Sequence, residues 1–416
     1  MAVELGAETV RSALETLRRR DPRLAIDAEA AVQSLTWRDS EDEPVVFGQH
    51  ALQLFLWYEL PRKWIAPDEE LLAIARALAE LLEVAGAPER YVALCRSPET
   101  ERMIRTEGDG FFELLEDSGL EPPDTALLEW SDLMTPAEAM VREAASLHLE
   151  AAIEAGVFEP GPPGWRERQR QAMEAFLTAP DESGVTALQR VRAARLEAWL
   201  GPPGLTDELG GERRRRLAPL LPLLEQEPDA EAAARALDPL FWLLGLCEAG
   251  ARLTKTNALA RSIVREAVER YPAWWHTELF GPPNRELDVR PLVQLHDLAL
   301  ALKLVRRYRG TLRLSRLGRE LRAEPRALLR LVADELAGAT SFGTDVVLAA
   351  LLAEARSPEE EGELPVFLAA QIDALLAPLA GLTGWIWERA SLSEGGRTLA
   401  LAILRARATG PRTSLA

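Results

Sequence analysis

The chain has 416 residues, 47% of them hydrophobic and 27% charged, which is enough to bury the cores of two or three domains and excludes a predominantly disordered protein. Its formal net charge of −18 means that most of its surface repels nucleic acid. Cys95 and Cys247 are the only cysteines and form no CxxC pair or Cys/His cluster, which excludes a disulfide framework, argues against a zinc site and points to a reduced, cytoplasmic setting.

In chain order, the first twenty residues carry acids early and hold no continuous apolar run, so they predict an amphipathic surface helix and not a secretory leader. Residues 47–64 are apolar on almost all sides up to Pro61 and predict a buried central helix, with Trp57, Tyr58 and Trp64 as core aromatics in preference to a ligand pocket. Leu71, Ile74, Leu78 and Leu82 recur at helical spacing behind a Pro67-Asp68-Glu69-Glu70 start. Thr135-Pro136-Ala137-Glu138 repeats that start signal, with Glu138 at the capping-box offset from Thr135. Gly-Pro-Pro-Gly at 161–164 and again at 201–204 cannot continue a helix, and the second, with residues 205–211, predicts a domain boundary. The resulting fold class is mainly α and multi-helical, with a small winged-helix-like module containing a short β-hairpin. The expected domains are an acidic helical domain at 1–200, a connecting segment at 201–238, the module at 239–330 and a helical segment at 331–416. No apolar run approaches the ~20 residues of a membrane span, so no membrane partner is expected.

Charge reverses inside the module. Residues 251–330 hold 17 Lys/Arg against 8 Asp/Glu, in a chain whose total is strongly negative. Arg252-Leu253-Thr254-Lys255-Thr256-Asn257 echoes Arg313-Leu314-Ser315-Arg316-Leu317-Gly318, and each copy predicts a strand end running into a helix with Leu inward, Thr or Ser as the cap and the cation in the first turn. Between them, residues 305–314 alternate as a hairpin with Gly310 at its turn. Residues 291–305 are too apolar to read base edges. A helix over 256–270 is better suited, with Asn257, Arg261 and Arg265 recurring every four residues opposite an apolar face. Arg306, Arg307, Arg309 and Arg313 would hold phosphates beside it. The candidate residues for nucleic-acid or partner binding are therefore Lys255, Asn257, Arg261, Arg265, Arg306, Arg307, Arg309 and Arg313. The same cations also suit solvated helix pairs or docking on the acidic first 250 residues.

The run 252–267, then Asn284-Arg285-Glu286-Leu287-Asp288, then residues 304–319, resembles the C-terminal part of Ri-plasmid open-reading-frame-three-like proteins and related uncharacterised actinobacterial proteins. That resemblance implies a winged-helix-like module in a cytosolic bacterial protein and supplies no activity or catalytic residue. No β-rich companion module of the kind those proteins carry is evident in this sequence.

Catalytic signatures are absent from the sequence. His50, His148, His276 and His296 fall in no HExxH, HxH or HxD pattern, and no GxSxG, phosphate-loop or dinucleotide motif occurs. His276-Thr277-Glu278 and His296-Asp297 place imidazole near carboxylate, as acid–base chemistry requires, but in a Glu-rich chain they are read as structural histidines. Cys95-Arg96 is read as a small buried hydrophobe beside a surface cation in preference to an activated thiolate. No cofactor or metal is expected. The expected function is a cytosolic binding protein with a protein-interaction or scaffold role, through a protein partner or self-association. Duplex DNA binding with a regulatory or defence role is the alternative, and an unrecognised enzyme the third reading.

Overall fold

Leu, Ala, Glu and Arg lose little rotamer freedom in a helix, and the computed structural model is accordingly mainly helical, with small antiparallel sheets between helices. It describes residues 3–5, 7–35, 45–201, 214–338, 340, 342–353, 366–383 and 391–411. Residues 202–213, which hold most of the expected joint, lie outside the described residues. Tertiary contacts divide the chain after Ala194 into two compact units. Among the described residues no helix is long and apolar enough to cross a membrane.

In the first unit, β1 (Val3–Leu5) leads into α1 (Ala7–Arg20) and α2 (Pro22–Leu35), and β2 (Val45–Phe47) returns antiparallel to β1. The amphipathic α1 buries Val10, Ala13 and Leu17. The apolar stretch that follows is not one continuous α-helix. Helix α3 (Gln49–Leu54) passes into a π-helical turn at Phe55–Glu59 before a last helical turn at Leu60–Lys63. This stretch buries Phe55, Leu56, Trp57 and Leu60, and Trp57 Nε1 donates to Thr100 Oγ1 at 3.0 Å, so its aromatics are packing residues. Helix α4 (Asp68–Val84) packs on α2 with Leu71, Ile74, Leu78 and Leu82 all buried.

Two further helices, α5 (Glu89–Cys95) and α6 (Pro136–Glu154), bring buried charge into this unit. Glu150 on α6 accepts from Gln49 N at 2.9 Å and from Arg90 Nη2 and Tyr91 Oη at 2.7 Å each, so its buried charge is paired. Thr135 caps α6 as its spacing predicts, while the Glu138 carboxylate accepts from Ser131 N at 3.0 Å and Oγ at 3.1 Å. On α3, His50 is buried with Nε2 at 2.6 Å from Glu121 Oε2, a carboxylate also paired with Arg142. Burial first, and then the Arg142 guanidinium, push its pKa from 6.5 down to about 4, against the weaker pull of Glu143 and Glu150. The unfolded chain therefore takes up this proton before the folded one does. The stability contributed by the neutral imidazole is complete above pH 6.5 and is lost as pH falls towards 4. Replacing His50 by Gln is expected to flatten the acid limb of melting temperature against pH over that window. An unaltered limb would assign the acid sensitivity elsewhere.

The second unit is built on one core that runs from Trp199 to Ala408. Helix α7 (Asp238–Ala249) enters β3 (Ala251–Arg252), followed by α8 (Arg261–Arg270), α9 (Arg290–Ala301), β4 (Val305–Tyr308), β5 (Thr311–Leu314) and α10 (Arg316–Arg322). The strands form an antiparallel sheet in the order β3-β5-β4, so the expected hairpin is present and gains a third strand. Its two-residue turn places Arg309 at φ 46° and Gly310 at φ 73°, the left-handed pair whose twist matches that of the flanking strands. Two more helices, α11 (Pro325–Gly338) and α12 (Glu394–Thr409), pack on each other and contribute Leu328, Val332, Leu399 and Ile403 to the same core.

Ser315 caps α10 by accepting from Gly318 N at 2.9 Å. Gly318 itself is required by a close approach, because a Cβ there would stand 2.1 Å from Leu304 O. Since that oxygen is backbone and accepts from Ser315 N, it cannot move cheaply. Gly318→Ala is expected to cost about 1–3 kcal/mol, read as a lower denaturation midpoint at unchanged m-value. A midpoint equal to wild type would refute the close-packing assignment.

Candidate functional site

Alternation along the three strands decides which cations face outward. Ala251 opposes Leu312 and Val305 opposes Leu314, and all four side chains are buried. The intervening pairs, Arg252 with Thr311, Arg306 with Arg313 and Tyr308 with Thr311, must then lie on the other face of the sheet. Arg307 opposes Leu312 on the core side, yet it is exposed beyond the edge of the core. Arg309 stands at the turn.

Guanidinium groups gather around one ring on this face. The carbons of Arg306, Arg309 and Arg313 lie 5.8, 5.3 and 5.4 Å from the centroid of the half-exposed Tyr308 ring. The ring face attracts each cation and limits the rotamers it samples. Arg306 and Arg313 are directly opposite, an arrangement that costs stability when nothing negative lies between them.

Neutralisation divides the basic window in two. Arg270 pairs with Asp238, Arg285 with Asp288, Arg316 with Glu320 and Arg322 with Glu248. Among the described residues, none of Arg252, Arg306, Arg307, Arg309 and Arg313 has a carboxylate partner. Arg313 Nε makes only a long contact to Thr311 Oγ1 at 3.4 Å. All five cations of the sheet and its turn therefore stay unneutralised, as do Lys255, Arg261, Arg265, Lys303, Arg319, Arg326 and Arg330 elsewhere among the described residues of the window. What sets the sheet apart is the gathering of three of its guanidinium groups around Tyr308. Arg252 belongs to the sheet's set although only the strand register assigns it there. Its sequence signal was the alternation of Ala251, Arg252 and Leu253.

The other candidate residues are placed differently. The helix expected over 256–270 begins only at Arg261, and Asn257 lies in a turn at φ 61°, off any helical face. Thr254 caps no helix; its Oγ1 accepts from Ala258 N at 3.2 Å, and its carbonyl accepts from Asn257 N at 3.1 Å to close the turn. Lys255, Asn257 and Arg261 are exposed, while Arg265 is half-buried with its Nε enclosed. The periodic Asn257/Arg261/Arg265 face thus reduces to Arg261 and Arg265, one turn apart on α8.

A buried pair fixes the turn of residues 254–257 to α9. Glu286 accepts from Leu259 N at 2.6 Å through one oxygen and from His296 Nδ1 at 2.8 Å through the other. Both side chains are almost fully buried. His296 therefore serves packing through a residue ten positions away and not through its neighbour Asp297, which is exposed. Burial pushes the Cys95 thiol up to about 12, leaving no activated thiolate beside Arg96.

Residues 244–327, from within α7 into α11, match the family model for the Y4jL N-terminal domain. No curated protein and no solved structure matches the chain.

Proposed function

We propose that the second unit binds duplex nucleic acid through the outer face of its three-stranded sheet. The observation that carries this reading is the set of guanidinium groups around Tyr308 that lack carboxylate partners among the described residues, in a chain whose other surface is acidic. A phosphate backbone relieves the Arg306–Arg313 repulsion and meets cations that Tyr308 has already positioned. The succession α7, β3, α8, α9, β4, β5 supports a winged-helix-like module within residues 239–330, with the hairpin as its wing. The acidic helical domain of this reading is residues 1–200, less the last few that pack into the second unit, and among the described residues after 330 the buried ones from Val332 to Ala408 contribute to the module's core. The setting is the cytoplasm of a bacterium and the role regulatory or defensive. Kinship with the Ri-plasmid open-reading-frame-three-like and actinobacterial proteins belongs to the same reading. Titration of full-length protein with labelled duplex across a salt series tests it, with affinity expected to fall steeply as salt rises.

A protein-interaction or scaffold role, with a partner or a second copy, is the second reading. It is favoured by Leu279, Phe280 and Leu287, which stand 72, 68 and 75% exposed between α8 and α9. Light scattering that shows self-association, together with no duplex binding at low salt, would select it over the first.

A further inference from the structure

We infer that Arg309 gives the hairpin a preference among duplexes by entering a narrow minor groove. This inference rests on the duplex-binding reading and adds to it which groove is entered and which sequences are favoured.

The first observation is conformational. A two-residue turn of this type favours Asn-Gly or Asp-Gly, because a β-carbon in the left-handed region crowds the following carbonyl. Here the first central position, at φ 46°, is occupied by arginine. Asn and Gly are less strained there, so a long cation at this position points to a task outside the fold.

The second observation is shape. Arg309 is exposed at the extreme of the hairpin, and its companion Gly310 adds no side chain and has nothing within 4 Å of where one would begin. The tip is one side chain thick. Behind it the sheet is as wide as its strands, which lie roughly 4.8 Å apart between backbones before side chains are counted. A minor groove about 6 Å wide excludes that sheet but admits a single extended guanidinium. With Arg309 in the groove, the phosphates on its two margins face the cations placed further back, Arg306 and Arg313 on the outer face and Arg307 on the other.

The third observation is charge. Arg309 has no carboxylate partner among the described residues, and its guanidinium lies over the Tyr308 ring. A guanidinium held this way responds to the strongest negative potential within reach. In B-form DNA that potential lies in the narrow minor groove of A-tracts, whereas the wide, shallow minor groove of an A-form RNA duplex does not concentrate it.

The test uses full-length protein and three duplexes of equal length: DNA with a central A-tract, alternating G·C DNA, and RNA. Wild type is expected to bind the A-tract about five- to tenfold more tightly than the G·C duplex, and RNA no better than G·C. Arg309→Asn and Arg309→Gly are expected to weaken binding to both DNAs, on G·C DNA by the loss of one phosphate contact and on the A-tract by more, so that the A-tract preference is lost, and to melt at a higher temperature. Arg309→Lys should retain overall affinity and only part of the preference. Equal wild-type binding to the two DNAs, or a preference that survives in Arg309→Asn, overturns the role of Arg309 while leaving duplex binding intact. A lower melting temperature for both Arg309→Asn and Arg309→Gly also overturns it, since the arginine would then be kept for stability. Failure of wild type to bind any of the three at low salt removes the duplex-binding reading and this inference with it.

Discussion

Reversing Arg306 and Arg313 to glutamate should remove most of the salt-dependent affinity for duplex. If Arg252, Arg306, Arg309 and Arg313 each neutralise one phosphate, the slope of log affinity on log salt is roughly −3 to −4, which amounts to about a hundredfold weakening between 50 and 200 mM salt. With two of the four removed the slope falls to about −2, and the same salt change costs only about tenfold. Reversal of charge adds repulsion to the loss, so affinity at low salt should drop further than for Arg306→Ala/Arg313→Ala. The folded state should not suffer in parallel. The two arginines are exposed and oppose each other across the hairpin, so replacing both by glutamate exchanges one like-charge pair for another and leaves the core untouched. A variant that melts like wild type but binds with a shallow salt slope is the expected outcome. A slope equal to that of wild type would place the phosphate contacts somewhere other than this sheet.

Glu286→Ala should be the most damaging single substitution within the binding module. Its carboxylate satisfies two buried donors, the amide of Leu259 and Nδ1 of His296, and neither has water within easy reach. Leaving a buried donor unsatisfied costs about 1–3 kcal/mol, so losing the partner of both costs about 2–6 kcal/mol. Against a total stability of about 5–15 kcal/mol that is a large fraction, and in a unit of this size it lowers the melting temperature by roughly 10 °C. Glu286→Gln keeps an acceptor for Leu259 N and should lose less. Glu286→Leu combined with His296→Leu should recover part of the loss, because the two orphaned side-chain groups disappear together and only the Leu259 amide stays unpaired. If Glu286→Ala melts like wild type, the pair is not what holds the 254–257 turn against α9.

That pair also explains where local reading of the sequence succeeded and where it failed. The Ser315 cap was legible because its bond, to Gly318 N, spans three residues and needs nothing distant. Thr254 carries the same local pattern, yet the chain does not enter a helix there. Leu259 N is held by Glu286, 27 residues on, while Ala260 N donates to Arg252 O and Leu253 bridges to Leu259. These bonds fold residues 253–259 back on themselves, and a helix becomes possible only from Arg261. Asn257 was lost from the expected cationic face for that reason. The hairpin itself was legible: Gly310 permits the left-handed turn, and Leu312 and Leu314 alternate inward around Arg313 within a few residues of it. Arg252 was not, because its place on the outer face depends on β3 pairing with β5 across about sixty residues of chain.

By itself the sequence determined the helical class, the Ser315 cap and the hairpin of the basic window and the reversal of charge within it, since each rests on propensity or on contacts a few residues apart. Only the tertiary structure decided which arginines are neutralised and which are not. Arg270 and Arg322 find Asp238 and Glu248 across the fold, while the strand register turns Arg252, Arg306 and Arg313 to a face where no described carboxylate reaches them. Ion pairing is a matter of a few ångströms in space, and composition fixes how many charges of each sign a chain holds but not which of them meet.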